Sequence, residues 1–124
     1  MKKVLAAAAI TIASLGIGNV AQAKAVAVSS SCDWLRPYIQ WVGLPSTFIS
    51  IAARESGCAR NGICVSDSDD LSCSRFGLNF RSAGMRSYWR NTCSVQHYSQ
   101  TRDIYIDLLC TKAAFNKQGY SPWQ

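Results

Sequence analysis

Six cysteines restrict what this chain can fold into more than any other feature of its sequence. All of them follow an N-terminal stretch with the pattern of an export signal, and their number is even. Small exported domains commonly use disulfides to stabilise a limited hydrophobic core, so up to three disulfides are expected. Six cysteines allow 15 pairings, and the sequence does not choose among them, although Cys93 and Cys110 are placed to join the last two predicted helices. The six are Cys32, Cys58, Cys64, Cys73, Cys93 and Cys110.

Residues 1–23 have the pattern of a secretory signal peptide. Two lysines precede a long uncharged run, and residues 21–23 form an Ala-x-Ala cleavage site. An uncleaved membrane anchor is disfavoured because the run contains polar residues and ends in this processing signal. We therefore expect a flexible leader over residues 24–31 and one domain over residues 32–124. The mature protein is expected to be secreted or periplasmic, monomeric, and not stably inserted in a membrane.

Charge and ligand patterns argue against two classes of protein. Without Lys2 and Lys3 the net charge of +6 falls to +4. The arginines are scattered rather than grouped, so we expect no nucleic acid as a partner. His97 is the single histidine and no Cys-x-x-Cys pair occurs, so no metal site is expected. The modest positive charge instead suits contact with an acidic polymer or cell surface.

Hydrophobic periodicity predicts four helices separated by turn-forming residues. Residues 58–74 have the composition of a loop with room for a short hairpin, and residues 75–80 are apolar enough to form a strand or an extended segment. The expected fold class is therefore α+β, mainly α, with a short β or loop insertion. The predicted helices are residues 33–42 before Gly43, a second from the cap Ser46 to Gly57, residues 82–92, and a fourth from the cap Thr101 to Gly119.

Glu55 is the only glutamate in the chain, and it lies on the apolar side of the second predicted helix. At 100° per residue it falls about 20° from the line of Phe48, and it follows Ile51 by four positions. We therefore expect its carboxyl to be half sheltered from water. Desolvation disfavours the ionised form of a carboxyl, which suits a general acid working near neutral pH. The alternative is ordinary surface charge near a helix end, beside Arg54.

Several short motifs follow one another along residues 34–123. They are Arg54-Glu55-Ser56-Gly57, a polar loop, Gly77-Leu78, and Ala113-Ala114 leading to a Gln-Gly-Tyr-Ser-Pro-Trp ending. This order resembles the lysozyme-like superfamily, in particular the lytic transglycosylases, including goose-type-lysozyme-like members, and the small resuscitation-promoting-factor type domains. The resemblance implies a lysozyme-like fold, a partner made of peptidoglycan glycan strands, and a reaction that requires no cofactor.

The resemblance also implies a reaction. Glu55 would protonate the glycosidic oxygen of the β-1,4 bond between N-acetylmuramic acid and N-acetylglucosamine, and would then act as a base while a 1,6-anhydro ring closes. The implied substrate-binding residues are Ser56, Asn79 and Tyr105. Transglycosylases usually carry glutamine two places after Gly-Leu, whereas here Asn79 and then Phe80 follow Leu78. Ser56 is equally suited to ending its helix.

Two alternatives to this reaction stay open at this point. A hydrolytic lysozyme would use a second carboxylate, and Asp69 and Asp70 are the candidates. The same aspartates are also suited to capping turns in a solvated loop. A binding module or inhibitor that kept the fold without the chemistry is the third possibility, because the segment after Leu78 departs from the family pattern.

Overall fold

The computed structural model describes residues 32–58 and 64–124, and these residues contain four α-helices and a two-stranded sheet. This confirms the mainly helical α+β class. The predicted signal peptide, residues 1–23, and leader, residues 24–31, lie outside the described residues. The elements are α1 (Arg36–Val42), α2 (Thr47–Ser56), β1 (Val65–Ser66), β2 (Leu71–Ser72), α3 (Ala83–Cys93) and α4 (Ile104–Gln118), with short 3-10 turns at Asp33–Leu35, Tyr98–Arg102 and Ser121–Trp123.

The first two helices end where the sequence predicts. Gly43 and Gly57 follow α1 and α2 in the left-handed conformation, with φ of 78° and 65°. Glycine adopts this conformation without the steric cost that a Cβ imposes, so it is suited to ending a helix. Ser46 occupies the N-cap position of α2, but its side chain makes no capping hydrogen bond.

The last two helices are capped by side chains. Ser82 caps α3 by accepting a backbone hydrogen bond from its first turn, so this helix begins one residue later than predicted. Asp103 caps α4 by accepting two backbone N–H groups at 2.9 and 3.2 Å. The prediction that Thr101 caps this helix is wrong. Thr101 lies in the preceding 3-10 turn, and the carboxylate two residues later satisfies the free N–H groups of the helix start.

The hairpin and the segment after it form the small non-helical part of the described residues. Strands β1 and β2 pair antiparallel, with Val65 opposite Ser72. Residues 75–80 form no strand and run irregularly from the hairpin to α3. Three alternate side chains of this stretch are nevertheless buried, because they face the helical core. They are Phe76, Leu78 and Phe80, which are 0%, 2% and 2% exposed.

Three disulfides join Cys32 to Cys58, Cys64 to Cys73 and Cys93 to Cys110. The expected bond between the last two helices is therefore confirmed. The other two tie the beginning of the described chain to the end of α2 and close the hairpin. Each bond restricts the unfolded chain and so stabilises the fold. Three disulfides also fit a protein that matures outside a reducing compartment.

The core is centred on Phe48 of α2. Its ring lies 4.9 to 6.3 Å from four other aromatic rings, which come from the 75–80 stretch, α4 and the C-terminal turn. These four are Phe76, Phe115, Tyr120 and Trp123. The first turn of α2 is thereby packed against the C-terminal turn. Within residues 32–58 and 64–124, none of the helices combines the length and the apolar character that a bilayer span requires.

Candidate functional site

Glu55 lies in the last turn of α2, at the edge of the core rather than inside it. Its side chain is 32% exposed, while Ile51 and Ala52, one turn earlier on the same helix, are buried. A carboxyl in this position is partly desolvated and still open to a ligand in solution.

The backbone of Gly77 lies directly against the Glu55 carboxyl. A Cβ at position 77 would come within 2.5 Å of Glu55 Oε1 and 3.0 Å of Cδ, closer than non-bonded atoms approach. Gly77 also has φ of 76°, a conformation that other residues adopt at a steric cost. Glycine at this position therefore lets the chain pass next to the acid with only its backbone.

Arg54 is the one described hydrogen-bonding partner of this carboxyl. Its Nη2 and Nε lie 3.3 and 3.4 Å from Glu55 Oε2. Nη2 also donates to the carbonyl oxygen of Trp123 at 2.6 Å, so the guanidinium is held by the C-terminal turn. The two charged side chains are about a third exposed, at 35% and 32%, and an ion pair at this exposure contributes little to stability. Among the described residues, Oε1 receives no hydrogen bond.

Ser56 ties the end of α2 to the stretch that carries Gly77. Its hydroxyl lies 2.8 Å from the carbonyl oxygen of Arg75 and 3.1 Å from that of Ala52. The bond to Arg75 holds residue 75 beside the helix end, two residues before Gly77. Ser56 thus has a structural task next to Glu55, and its role in binding substrate stays a prediction.

Asp107 and Arg75 hold the same stretch from the opposite side. Asp107 is fully buried on α4; its Oδ1 accepts the Ser74 hydroxyl at 2.6 Å, and its Oδ2 accepts the backbone N–H and Nη1 of Arg75 at 2.8 and 3.2 Å. Arg75 is 2% exposed and also donates to the carbonyl oxygens of Thr101 and Arg102. Burial raises the pKa of Asp107 to about 6, against the hydrogen bonds from Ser74 and Arg75 and the charge of Arg75, which lower it.

The sequence analysis missed Asp107, although a signal for it exists. Asp107 follows Ile104 by three positions and precedes Thr111 by four, so it stands on the buried side of α4 beside Leu108. Polar or charged groups in such a stripe are normally paired. The same reasoning had selected Glu55.

Asn79, predicted to bind sugar, has its amide occupied by the protein itself. Its Oδ1 accepts the N–H groups of Leu71 and Arg81 at 3.0 and 2.9 Å. Its Nδ2 donates to the carbonyl oxygen of Asp69 at 2.9 Å and to Asp70 Oδ1 at 3.1 Å. An amide oxygen and nitrogen take two bonds each, so all four positions are in use. Asn79 holds the hairpin in place, and its contact with a glycan stays a prediction.

Asp69 and Asp70, the candidates for a second carboxylate, lie in the exposed turn between β1 and β2. The turn is organised by Asp67, whose Oδ1 accepts the N–H groups of both residues at 2.8 Å. These two bonds, that of Asp70 first, lower the pKa of Asp67. The arrangement is a side-chain-capped turn, typical of aspartate in loops.

Tyr105 lies in the first turn of α4 and is 49% exposed. Its ring packs edge to face against Tyr38 and Trp41 of α1, with centroids 5.9 and 5.2 Å away. Trp41 is itself 59% exposed, so the three rings form an aromatic surface on α1 and α4. Among the described residues no hydrogen bond joins Tyr105 to Glu55, and the role of Tyr105 in binding substrate stays a prediction.

The arrangement around Glu55 suits proton transfer to a bound molecule. One carboxyl oxygen faces the backbone of Gly77 and the other faces the Arg54 guanidinium. No group of three or more His, Cys, Asp or Glu side chains within the described residues is arranged to hold a metal ion. Comparison of the chain with protein-family models, with curated proteins and with solved structures finds no match.

Proposed function

We propose that this protein is an exported lytic transglycosylase of lysozyme-like fold that cleaves the β-1,4 bond between N-acetylmuramic acid and N-acetylglucosamine in peptidoglycan. The observation that carries the proposal is the position of Glu55. The only glutamate of the chain ends α2 with a solvent-accessible carboxyl, directly against Gly77 of the Gly77-Leu78 motif. Three disulfides and a net positive charge suit a protein that works outside the cell membrane on an anionic wall.

In the proposed reaction Glu55 acts twice. It first gives its proton to the glycosidic oxygen while the bond from this oxygen to C1 of N-acetylmuramic acid breaks. The carboxylate then takes the proton of the C6 hydroxyl of the same sugar while O6 attacks C1. The products are a 1,6-anhydro sugar and a free C4 hydroxyl on N-acetylglucosamine, and no water is consumed. Arg54 would stabilise the carboxylate between the two steps.

The single-carboxylate route is preferred because the two other candidates serve the hairpin. Asp70 accepts a hydrogen bond from Asn79, and Asp69 lies in the exposed turn that Asp67 organises. A two-carboxylate glycosidase requires acids on both sides of the scissile bond. The proposed catalytic residue is therefore Glu55 alone, with Arg54 and Gly77 as its immediate neighbours.

Digestion of purified cell-wall sacculi, with the products identified by mass spectrometry, tests the proposal. We expect anhydro-muropeptides from the wild-type protein and at least about a hundredfold slower release by Glu55→Gln. The matched controls are Asp69→Asn and Asp70→Asn, which remove one carboxylate each from the hairpin turn and should keep the wild-type rate. Glu55→Gln should unfold within about 0.5 kcal/mol of wild type, because the site is partly exposed.

Three other outcomes would each replace the proposal. Reducing-end products, with loss of activity in one of the two asparagine variants, would identify a hydrolytic lysozyme. A folded wild-type protein that binds sacculi and releases nothing would be a binding module or inhibitor. A Glu55→Gln variant that digests as fast as wild type would remove Glu55 from the mechanism.

A further inference from the structure

Trp123 is hydrogen-bonded to both sides of the Glu55 site. Its indole Nε1 donates to the carbonyl oxygen of Phe76 at 2.7 Å, and Phe76 directly precedes Gly77. Its own carbonyl oxygen accepts Nη2 of Arg54 at 2.6 Å, and Arg54 directly precedes Glu55. One residue near the C-terminus thus contacts the chain neighbours of both groups that meet in the site.

The core determines where Trp123 lies. The residue is 5% exposed, and its ring packs perpendicular to Phe48 of α2 with centroids 4.9 Å apart. Its backbone N–H donates to the carbonyl oxygen of Tyr120 at 2.8 Å, and the Tyr120 ring stacks on Phe48 at 5.7 Å. Buried aromatic packing of this kind restricts movement, so the indole N–H and the carbonyl oxygen of Trp123 are held in fixed positions.

We propose that Trp123 is a positioning residue for Glu55, acting on Gly77 through Phe76 and on the carboxyl through Arg54. This inference rests on the proposed catalytic role of Glu55. Arg54 has several rotatable bonds and is partly exposed, so without the Trp123 carbonyl its guanidinium would sample other positions. The hydrogen bond from Arg54 to the Trp123 carbonyl oxygen, which we call the tether, keeps the guanidinium beside Oε2 and leaves Oε1 at Gly77 for the ligand.

The tether matters most when the proton leaves Glu55. Negative charge then develops next to a guanidinium that is already in place, so the interaction strengthens toward the transition state and costs no reorganisation. Small displacements of a catalytic group reduce the rate more than they reduce substrate binding. Loss of either hydrogen bond of Trp123 should therefore lower kcat and leave KM nearly unchanged.

Trp123→Phe tests the contact to Phe76, because it keeps most of the ring packing and the backbone carbonyl that accepts Arg54 but removes the indole N–H. Arg54→Lys tests the contact to Arg54. The chain offers a matched control in Trp89, which is 2% exposed and donates its indole N–H at 2.9 Å to the carbonyl oxygen of Asn79, three residues after Phe76. Both variants remove one buried bond to the same stretch of backbone. We expect a roughly ten- to hundredfold lower kcat in Trp123→Phe, with wild-type KM, and a wild-type kcat in Trp89→Phe.

A second readout needs no activity. Because Glu55 is the only glutamate, labelling with glutamate enriched in carbon-13 at the side-chain carboxyl gives one carboxyl resonance in the protein. At a fixed neutral pH this resonance should move in Trp123→Phe and in Arg54→Lys, which keeps the charge and shortens the donor fork. It should stay at its wild-type position in Trp89→Phe.

The inference is overturned if Trp123→Phe has the wild-type kcat, if Trp89→Phe loses as much, or if the resonance moves equally in both. If Trp123→Phe does not fold, Arg54→Lys tests the other contact of Trp123 from a partly exposed position, and a wild-type kcat with an unmoved resonance in that variant overturns the inference. Failure of the proposed function is a separate result. It would appear as full activity in Glu55→Gln, while the resonance would still report on the positioning.

Discussion

Two carboxyls of this protein stand in the apolar stripes of their helices, and their surroundings are opposite. Asp107 is fully buried and accepts three hydrogen bonds of 2.6 to 3.2 Å from Ser74 and Arg75. Glu55 is 32% exposed, and its described partner is Arg54 at 3.3 Å. Both oxygens of Asp107 accept hydrogen bonds, whereas Oε1 of Glu55 receives none from the described residues. The two carboxyls share a position in an apolar stripe. The candidate catalytic carboxyl differs from the structural one in having an oxygen that accepts no hydrogen bond from the described residues.

The two carboxyls are also connected through one stretch of chain. Asp107 fixes residues 74 and 75, and the stretch then reaches Glu55 at Gly77. A change at the buried end should therefore appear mainly in stability. A change at the exposed end should appear mainly in activity.

The largest effect on stability is expected from Asp107→Asn. This change removes the charge partner of a buried guanidinium and places an amide N–H₂ among hydrogen-bond donors, so the free energy of unfolding should fall by about 3–5 kcal/mol. Denaturant unfolding under non-reducing conditions measures the loss. Asp103→Asn is the control, because asparagine caps a helix about as well as aspartate and should cost less than about 0.5 kcal/mol. A loss below about 1 kcal/mol at Asp107 would contradict the view that the buried pair anchors this stretch.

The second expected effect is a pH dependence of stability that arises from the buried carboxyl of Asp107. Its pKa in the folded protein is about 6, above the ordinary value of 3.8, so between these values the folded state keeps a proton that the unfolded state has lost. The stabilisation by this proton is complete below pH 3.8 and is lost as the pH rises to about 6. The free energy of unfolding, measured at pH 4, 5, 6 and 7, should fall by about 3 kcal/mol relative to that of Asp107→Asn. A difference between the two proteins that grows with pH would mean that Arg75 keeps the carboxylate ionised.

Gly77→Ala tests the exposed end of the same stretch. The new Cβ would stand 2.5 Å from Glu55 Oε1 at a φ of 76°, so both backbone strain and contact with the acid oppose it. We expect a loss of about 2 kcal/mol in unfolding free energy and a much lower rate of sacculus digestion, because the carboxyl must move away.

Gly57→Ala is the matched control for that variant. Gly57 has φ of 65°, and a Cβ there would meet nothing within 4 Å, so it carries the strain without the contact. Its cost should be about 1 kcal/mol. The excess cost at Gly77 should disappear in a background of Glu55→Ala, which removes the opposing carboxyl. Equal costs at both glycines would show that Gly77 and Glu55 do not constrain each other.

The limits of the sequence are visible in these same residues. The glycines that follow α1 and α2 are local signals in the sequence, and both helices end at them. The alternation of Phe76, Leu78 and Phe80 marks burial correctly. The stretch forms no strand, and its described backbone hydrogen bond to β2 runs from the Phe80 N–H to the Leu71 carbonyl oxygen. A position in the apolar stripe of a helix marks Glu55 and Asp107 equally as candidate functional residues. Their distinction depends on bonds between residues 32 to 69 positions apart, which leave no local pattern.

The last pair of variants changes the two serines that hold the stretch, Ser74 at its buried end and Ser56 at the helix end. Ser74→Ala removes a bond to the buried Asp107 carboxylate and one from the Phe76 N–H at 2.9 Å, so it should cost about 1–3 kcal/mol. Ser56→Ala removes one partly buried bond to the Arg75 carbonyl oxygen and should cost about 1 kcal/mol or less. Denaturant unfolding and sacculus digestion of both variants separate the two ends. Ser56→Ala could lower kcat more than Ser74→Ala does and yet lower the free energy of unfolding less. In that case the hydrogen bond at the helix end determines how closely Gly77 approaches Glu55. The reverse order would mean that the buried anchor alone sets it.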